Sequence, residues 1–270
     1  MPGRVVVRLP APAREADAAR DRASGAVIDV HDADLVEAYP RGAQPLLRVN
    51  FVASLDGAVT VDGKSGGLGG PGDKLVFDSL RKVCDALVVG AGTVRTENYD
   101  GLRLDAAARD WRRARGLPEF PLMVVVSGAL DLDPAQLVFA DAPIRPLVVT
   151  HAGAPPARRA ALAPVADVVT CGDAAVDLAA AVAALHARGA TQLLCEGGPR
   201  LFGALIAADL VDELCLTVSP RLAERRRRPH RDRARHPAAG DVTAKRSGRS
   251  GHAFSSGTPA AARSCGQTCG

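Results

Sequence analysis

Along residues 46–222, short runs of aliphatic and β-branched residues alternate with longer stretches in which apolar positions recur every three or four residues. Glycine, proline or aspartate stands at most of the joints. The runs predict strands at 46–53, 86–90, 122–127, 146–150, 165–170, 192–195 and 213–219. Between them, Asp73 is placed to cap a helix whose Leu75, Val76, Leu80 and Val83 share a face, and a helix over 177–188 stops at Gly189. This strand-helix rhythm predicts an α/β fold, a mostly parallel sheet with helices on both faces. No repeat of fixed period interrupts it. Residues 10–25, rich in Ala, Arg and Asp, predict an N-terminal extension, and 40–45 a linker into the first core strand. The division expected is therefore 1–45 as extension and linker, 46–222 as the folded domain and 223–270 as a tail.

Three joints carry more chemistry than a loop requires. In Asn50-Phe-Val-Ala-Ser-Leu-Asp-Gly57 a strand runs into Ser54 and Asp56, placing a hydroxyl and a carboxylate at the strand end where open α/β sheets bind ligands. By itself, Asp56-Gly57 is more often a turn. In Val88-Val-Gly-Ala-Gly-Thr-Val-Arg95, the amides freed by Gly90 and Gly92, with Thr93 beside them, suit phosphate oxygens. The third glycine of the dinucleotide fingerprint is replaced by Arg95, a residue suited to the 2′-phosphate of NADP. In Leu193-Leu-Cys-Glu-Gly-Gly-Pro-Arg-Leu201, a strand ends at Glu196 and a double glycine precedes a helix. Two such turns in one sheet suit a ligand with two phosphates, although Gly197-Gly198 also serves a sharp bend.

Composition narrows the class. The chain is 47% hydrophobic and 24% charged, a globular balance, and its 3% aromatic content leaves few rings for stacking on bases. No apolar run has membrane-spanning length, and Met1-Pro-Gly-Arg-Val-Val-Val lacks the apolar core of a secretion leader. The net charge of +4 is unevenly held: residues 223–270 carry eleven bases against three acids, +8, leaving 23 bases against 27 acids, −4, in residues 1–222. With only Val242 and Phe254 as large apolar side chains, the tail is expected to be disordered. Its arginines supply the one argument for nucleic-acid binding. Cys84, Cys171, Cys195 and Cys215 lie in or beside apolar runs and predict buried free thiols, while Cys265 and Cys269 lack a partner pair for a metal. A reducing cytoplasm fits these cysteines.

The ordered set Ser54-Leu-Asp-Gly57, Gly70-Pro-Gly-Asp73, Leu80-Arg81, Gly90-Ala-Gly-Thr-Val-Arg95, Glu196-Gly-Gly-Pro199 and Leu210-Val-Asp-Glu-Leu214 resembles the pyrimidine reductase family of riboflavin biosynthesis, in its stand-alone actinobacterial branch. The resemblance covers about 46–222. It implies a dihydrofolate-reductase-like fold and NADPH-dependent reduction of the ribosyl group of 5-amino-6-(5-phosphoribosylamino)uracil to the ribityl form. It assigns Gly90, Gly92, Thr93, Arg95, Gly197, Gly198 and Leu201 to the cofactor, with Ser127 as a further contact. Asn50, Ser54, Ser65, Arg81, Asn98 and Arg103 fall to the phosphorylated substrate, and Asp56 and Glu196 to orienting it or supplying the proton. Asn98 stands where many bifunctional relatives place an aspartate, so that position is not the sole proton donor. A homodimer is implied where the C-terminal end permits it, without membrane, metal or nucleic-acid partner. A pteridine or folate reductase is the alternative on the same fold, and Ser65 and Arg81 favour the phosphorylated sugar.

His31, His151 and His186 have no motif context and read as surface residues. The chain lacks His-x-Glu with Pro-Cys-x-x-Cys, the zinc deaminase signature, so the companion deamination falls to another protein. After Ser219-Pro-Arg-Leu222 the family continues with glycines and further strands, whereas Ala223-Glu-Arg-Arg-Arg-Arg-Pro begins the tail. A shifted reading frame in a GC-rich gene yields such text, and the expectation is a sheet lacking its terminal strands, with an exposed edge.

Overall fold

A computed structural model describes residues 35–223 and the backbone of Val6–Val7. Among these residues, β1 (Val6–Val7), β2 (Leu46–Ser54), β3 (Ala86–Gly90), β4 (Leu122–Val126), β5 (Leu147–Thr150), β6 (Asp167–Thr170), β7 (Gln192–Cys195) and β8 (Glu213–Ser219) form one sheet. Its order is β1-β8-β2-β7-β3-β4-β5-β6. The strands from β8 to β6 are parallel, and β1 lies antiparallel on the outer side of β8, with Val6 opposite Thr217. The edge expected to be bare is therefore partly covered from the N-terminal side.

The apolar runs are continuous because the sheet is buried on both faces. In β3, Leu87 and Val89 enter one core and Ala86 and Val88 the other, and Met123 and Val125 against Val124 repeat the alternation in β4. The helices are α1 (Leu35–Ala38), α2 (Pro71–Val83), α3 (Ala91–Glu97), α4 (Ala106–Arg113), α5 (Leu137–Ala140), α6 (Pro156–Leu162), α7 (Leu178–His186) and α8 (Pro199–Ala207). One core is closed by Leu35 of α1, Val76 and Leu80 of α2 and Val94 of α3, the other by Ala181 and Leu185 of α7 and Leu201 and Leu205 of α8. Each fully buried Val or Leu contributes about 1.5–3 kcal/mol. Leu35 and Tyr39 lie before the first core strand, so packing begins earlier than residue 46.

Several local expectations change. Asp73 does not cap α2: Gly70 is the N-cap and Pro71, with its fixed φ and missing N–H, starts the helix, leaving Asp73 in the first turn. Leu75 is 40% exposed, because the buried stripe runs through Val76, Leu80 and Val83. The strand expected from 165 begins at Asp167, since Val165 N–H still donates to Leu162 O at the end of α6. The second helix behaves as read, with Asp177 accepting from Ala180 N–H and Gly189 at φ +82° closing the end. His151 and His186 are half-buried rather than superficial. The four cysteines at 84, 171, 195 and 215 are buried free thiols, and burial pushes Cys84 and Cys195 up to about 12. Among the described residues, no helix is long and apolar enough to cross a membrane. Residues 10–25, His31 and the basic tail beyond Ala223, with Cys265 and Cys269, lie outside the described residues.

Candidate active site

The site forms where β7 lies between β2 and β3, so that their carboxyl ends adjoin. There the two glycine turns meet: Gly90 N–H donates to Gly197 O at 2.7 Å, and Glu196 N–H donates to Val88 O at 3.1 Å. Gly197 has φ +89°, and a side chain on it would stand 2.9 Å from the Phe51 ring. A Cβ on Gly198 would stand 2.5 Å from Thr93 Oγ1. Glycine is needed at both for this close approach.

Beside the turns is a cavity of about 480 Å³. Asn50, Phe51, Ser65, Asp73, Phe77, Thr93, Glu97, Tyr99, Glu196 and Gly198 are among its lining residues. Asn50 is only 8% exposed, and its buried Oδ1 has no hydrogen-bond partner in the protein. An unsatisfied buried acceptor costs about 1–3 kcal/mol, a cost that a donor reaching it from the cavity would recover.

Glu196 is the best-braced polar group there. Its side chain is 3% exposed, and Arg81 binds it with both donors, Nε to Oε1 at 2.8 Å and Nη2 to Oε2 at 2.7 Å. The Tyr99 hydroxyl also donates to Oε2. Phe77 supports the guanidinium 3.9 Å from its ring centroid. Burial alone would lower the Arg81 pKa, but the Glu196 carboxylate outweighs it and raises the value. Burial, reinforced by Glu196, holds Tyr99 well above 10, so its proton stays in place. Both donors keep their protons, which makes Glu196 a fixed acceptor.

Of the residues expected at the site, Asn50, Ser65, Thr93, Glu196 and Gly198 line the cavity, and Gly90, Gly197, Leu201 and Arg81 adjoin it. Others are not brought there. Asp56 is not among the lining residues: its Oδ1 accepts from Ser54 Oγ and from Ala223 N–H, and Ser54 Oγ accepts from Ala58 N–H, so both residues organise the turn after β2. Arg103 is exposed and ion-paired to Asp141 at 2.9 Å, because Gly101 packs against the backbone of Asp141 and carries the neighbouring residues there. Asn98 ends α3 in the left-handed conformation at φ 52° and also lies outside the lining. Arg95 donates to Asp131 O at 2.6 Å, on the loop after β4. Ser127 is buried at the end of β4, and Gly92 borders open space.

Asp73, Glu97 and Tyr99 were missed as lining residues. Thr93 and Glu97 are four apart on α3, a spacing that would have paired them. Nothing local reveals Tyr99, whose partner is 97 residues away.

The family model of the RibD C-terminal domain matches residues 45–230. The chain belongs to the RibD C-terminal domain family. It is 32% identical over 178 residues to the 2,5-diamino-6-ribosylamino-4(3H)-pyrimidinone 5′-phosphate reductase of Archaeoglobus fulgidus, covering 66% of this chain and 81% of that protein. The reductase of the same name from Methanothermobacter thermautotrophicus is 31% identical, over 66% of this chain and 78% of the relative. Among solved structures, a pyrimidine reductase-like protein from Corynebacterium diphtheriae superposes with a TM-score of 0.63 at 30% identity, over 71% and 79% of the two chains. This RibD C-terminal domain protein is thus an oxidoreductase of the reductase type, with the glycine turns and the Arg81, Glu196 and Tyr99 cluster at its cavity.

Proposed function

We propose that the chain uses NADPH to reduce the ribosyl group of 5-amino-6-(5-phosphoribosylamino)uracil, or of the 2,5-diaminopyrimidinone that names its archaeal relatives, to the ribityl form in riboflavin biosynthesis. The two rings differ at C2 and react at the same sugar carbon, C1′. The observation that carries the reading is the cavity wall, where a braced carboxylate and an unpartnered carboxamide oxygen lie beside two interlocked glycine turns. A sugar hydroxyl or a pyrimidine N–H is a donor of the kind the Asn50 oxygen lacks.

The residues fit a nicotinamide dinucleotide. A backbone approach as close as that of Gly198 to Thr93 leaves no room for side chains, and an added Cβ at Gly92 meets nothing within 4 Å, so the ligand side of that turn is open. Gly90, Gly92, Thr93, Gly197, Gly198 and Leu201 would hold the cofactor, with Arg95 of α3 and Ser127 after β4 as further contacts. When bound, the cofactor supplies the hydride. This chain's residues do the rest: Glu196 orients the opened sugar, Asn50 accepts from the substrate, and Ser65 adds a polar contact. Cytoplasmic placement and a homodimer belong to the same proposal. The division into a reductase body and a basic tail from residue 223 also stands as a proposal.

The test is turnover with purified protein, each of the two ribosylaminopyrimidine phosphates, and NADPH or NADH, followed by loss of the reduced-nicotinamide absorbance. Ribityl product with NADPH and at least one ring is expected. No oxidation of NADPH with either ring would overturn the reading.

A further inference from the structure

We propose that Asp73, in the first turn of α2, is the acid that protonates the substrate nitrogen during the reduction. The inference rests on the function proposed above and adds a catalytic residue to it.

Three carboxyl groups line the cavity: Asp73, Glu97 and Glu196. Glu196 is committed as an acceptor to Arg81 and Tyr99. Glu97 Oε1 accepts from Ser65 N–H at 2.7 Å and ties the loop before α2 to α3. Asp56 and Asn98 are outside the lining. Asp73 is left as the carboxyl with a proton to give.

Its surroundings shift it toward the neutral form. Burial raises its pKa above the usual 3.8, the Thr217 hydroxyl of β8 lowers it through a hydrogen bond, and the Glu196 carboxylate at the end of β7 raises it again. On its own helix, Lys74 does not neutralise it, because the ammonium is paired with Asp78. From α3, Glu97 adds a negative group to the same cavity. The carboxyl oxygen occupies space that Gly69 leaves free: a Cβ there would stand 2.7 Å from Asp73 Oδ2.

In the step, the open-chain substrate has a C1′=N bond. Its carbon accepts the hydride, forming C1′–H, while the π pair passes to nitrogen and forms N–H with the Asp73 proton. The products are the secondary ribityl amine, oxidised nicotinamide and the Asp73 carboxylate, which water reprotonates.

The experiment is the pH profile of kcat for wild type and Asp73→Asn, with NADPH binding by fluorescence as a measure of the folded site. Because the protonated form acts, wild-type kcat should be level at low pH and fall as pH rises through the pKa of Asp73. Asp73→Asn should lose about 100-fold in kcat, keep NADPH affinity within about twofold and lose the falling limb. Asp73→Asn retaining a third or more of kcat, or losing NADPH binding in step with kcat, would overturn the assignment, as would a falling limb kept in Asp73→Asn. Wild type inactive on both pyrimidines would instead remove the proposed function, and this inference with it.

Discussion

Two strand ends in this molecule present a carboxylate beside a glycine, and they behave differently. After β2, the turn at 54–58 folds back on itself: Asp56 accepts from Ser54 Oγ and, where the chain returns past β8, from Ala223 N–H. After β7, Glu196 instead meets Arg81 from α2 and Tyr99 from the segment after α3. One carboxylate satisfies its own turn, while the other is buried against a cation at a cavity. A position at a strand's carboxyl end is therefore not enough to make a site. What decides is whether the neighbouring elements bring donors that the turn cannot supply.

The strongest way to break this contrast is Glu196→Gln. It leaves the Arg81 cation buried without its charge partner, and we expect a loss of about 3–5 kcal/mol in urea unfolding together with at least about 100-fold in turnover. A fully active, fully stable Glu196→Gln protein would put the two strand ends on the same footing. Gly198→Ala tests the interlock of the glycine turns. The added methyl would meet Thr93 Oγ1 at 2.5 Å, so a cost of about 1–3 kcal/mol and weaker NADPH binding in titrations are expected.

Tyr99→Phe sharpens the comparison by removing one donor from Glu196 and leaving Arg81 in place. Stability should fall by about 1 kcal/mol and kcat by roughly 10-fold, read from thermal unfolding and steady-state rates. The smallest effect belongs to the other strand end. Asp56→Asn retains the Oδ1 acceptor, so turnover within about threefold of wild type and a stability change of about 1 kcal/mol or less are expected. A large loss of kcat at unchanged stability would return Asp56 to the chemistry.

Much of the fold was legible because it is local. The ends of β3 and β7 coincide with apolar runs, since a strand buried on both faces is apolar along most of its length. Asp177 and Gly189 bracket α7 because capping depends on residues within one turn of the helix. Both glycine turns were visible as strand-to-helix joints, as was the carboxylate at 196. The misplacement of Asp73 as a cap has the same local origin, because a competing local signal, Pro71, decided where α2 begins.

The sequence by itself thus determined the alternation of elements, the strand ends and the residue types held at them, because side-chain periodicity and backbone freedom act over a few residues. Only the tertiary structure decided which of those residues share a site. Strand order β2-β7-β3 places residue 196 beside elements from residues 50 and 90. The Arg81 bond to Glu196 spans 115 positions. Tyr99 reaches the same carboxylate across 97 positions, and Arg103 is drawn to Asp141 and away from the cavity. The buried pair of Arg81 and Glu196 depends on packing, which no local pattern encodes: a charge leaves water only where packing supplies its partner.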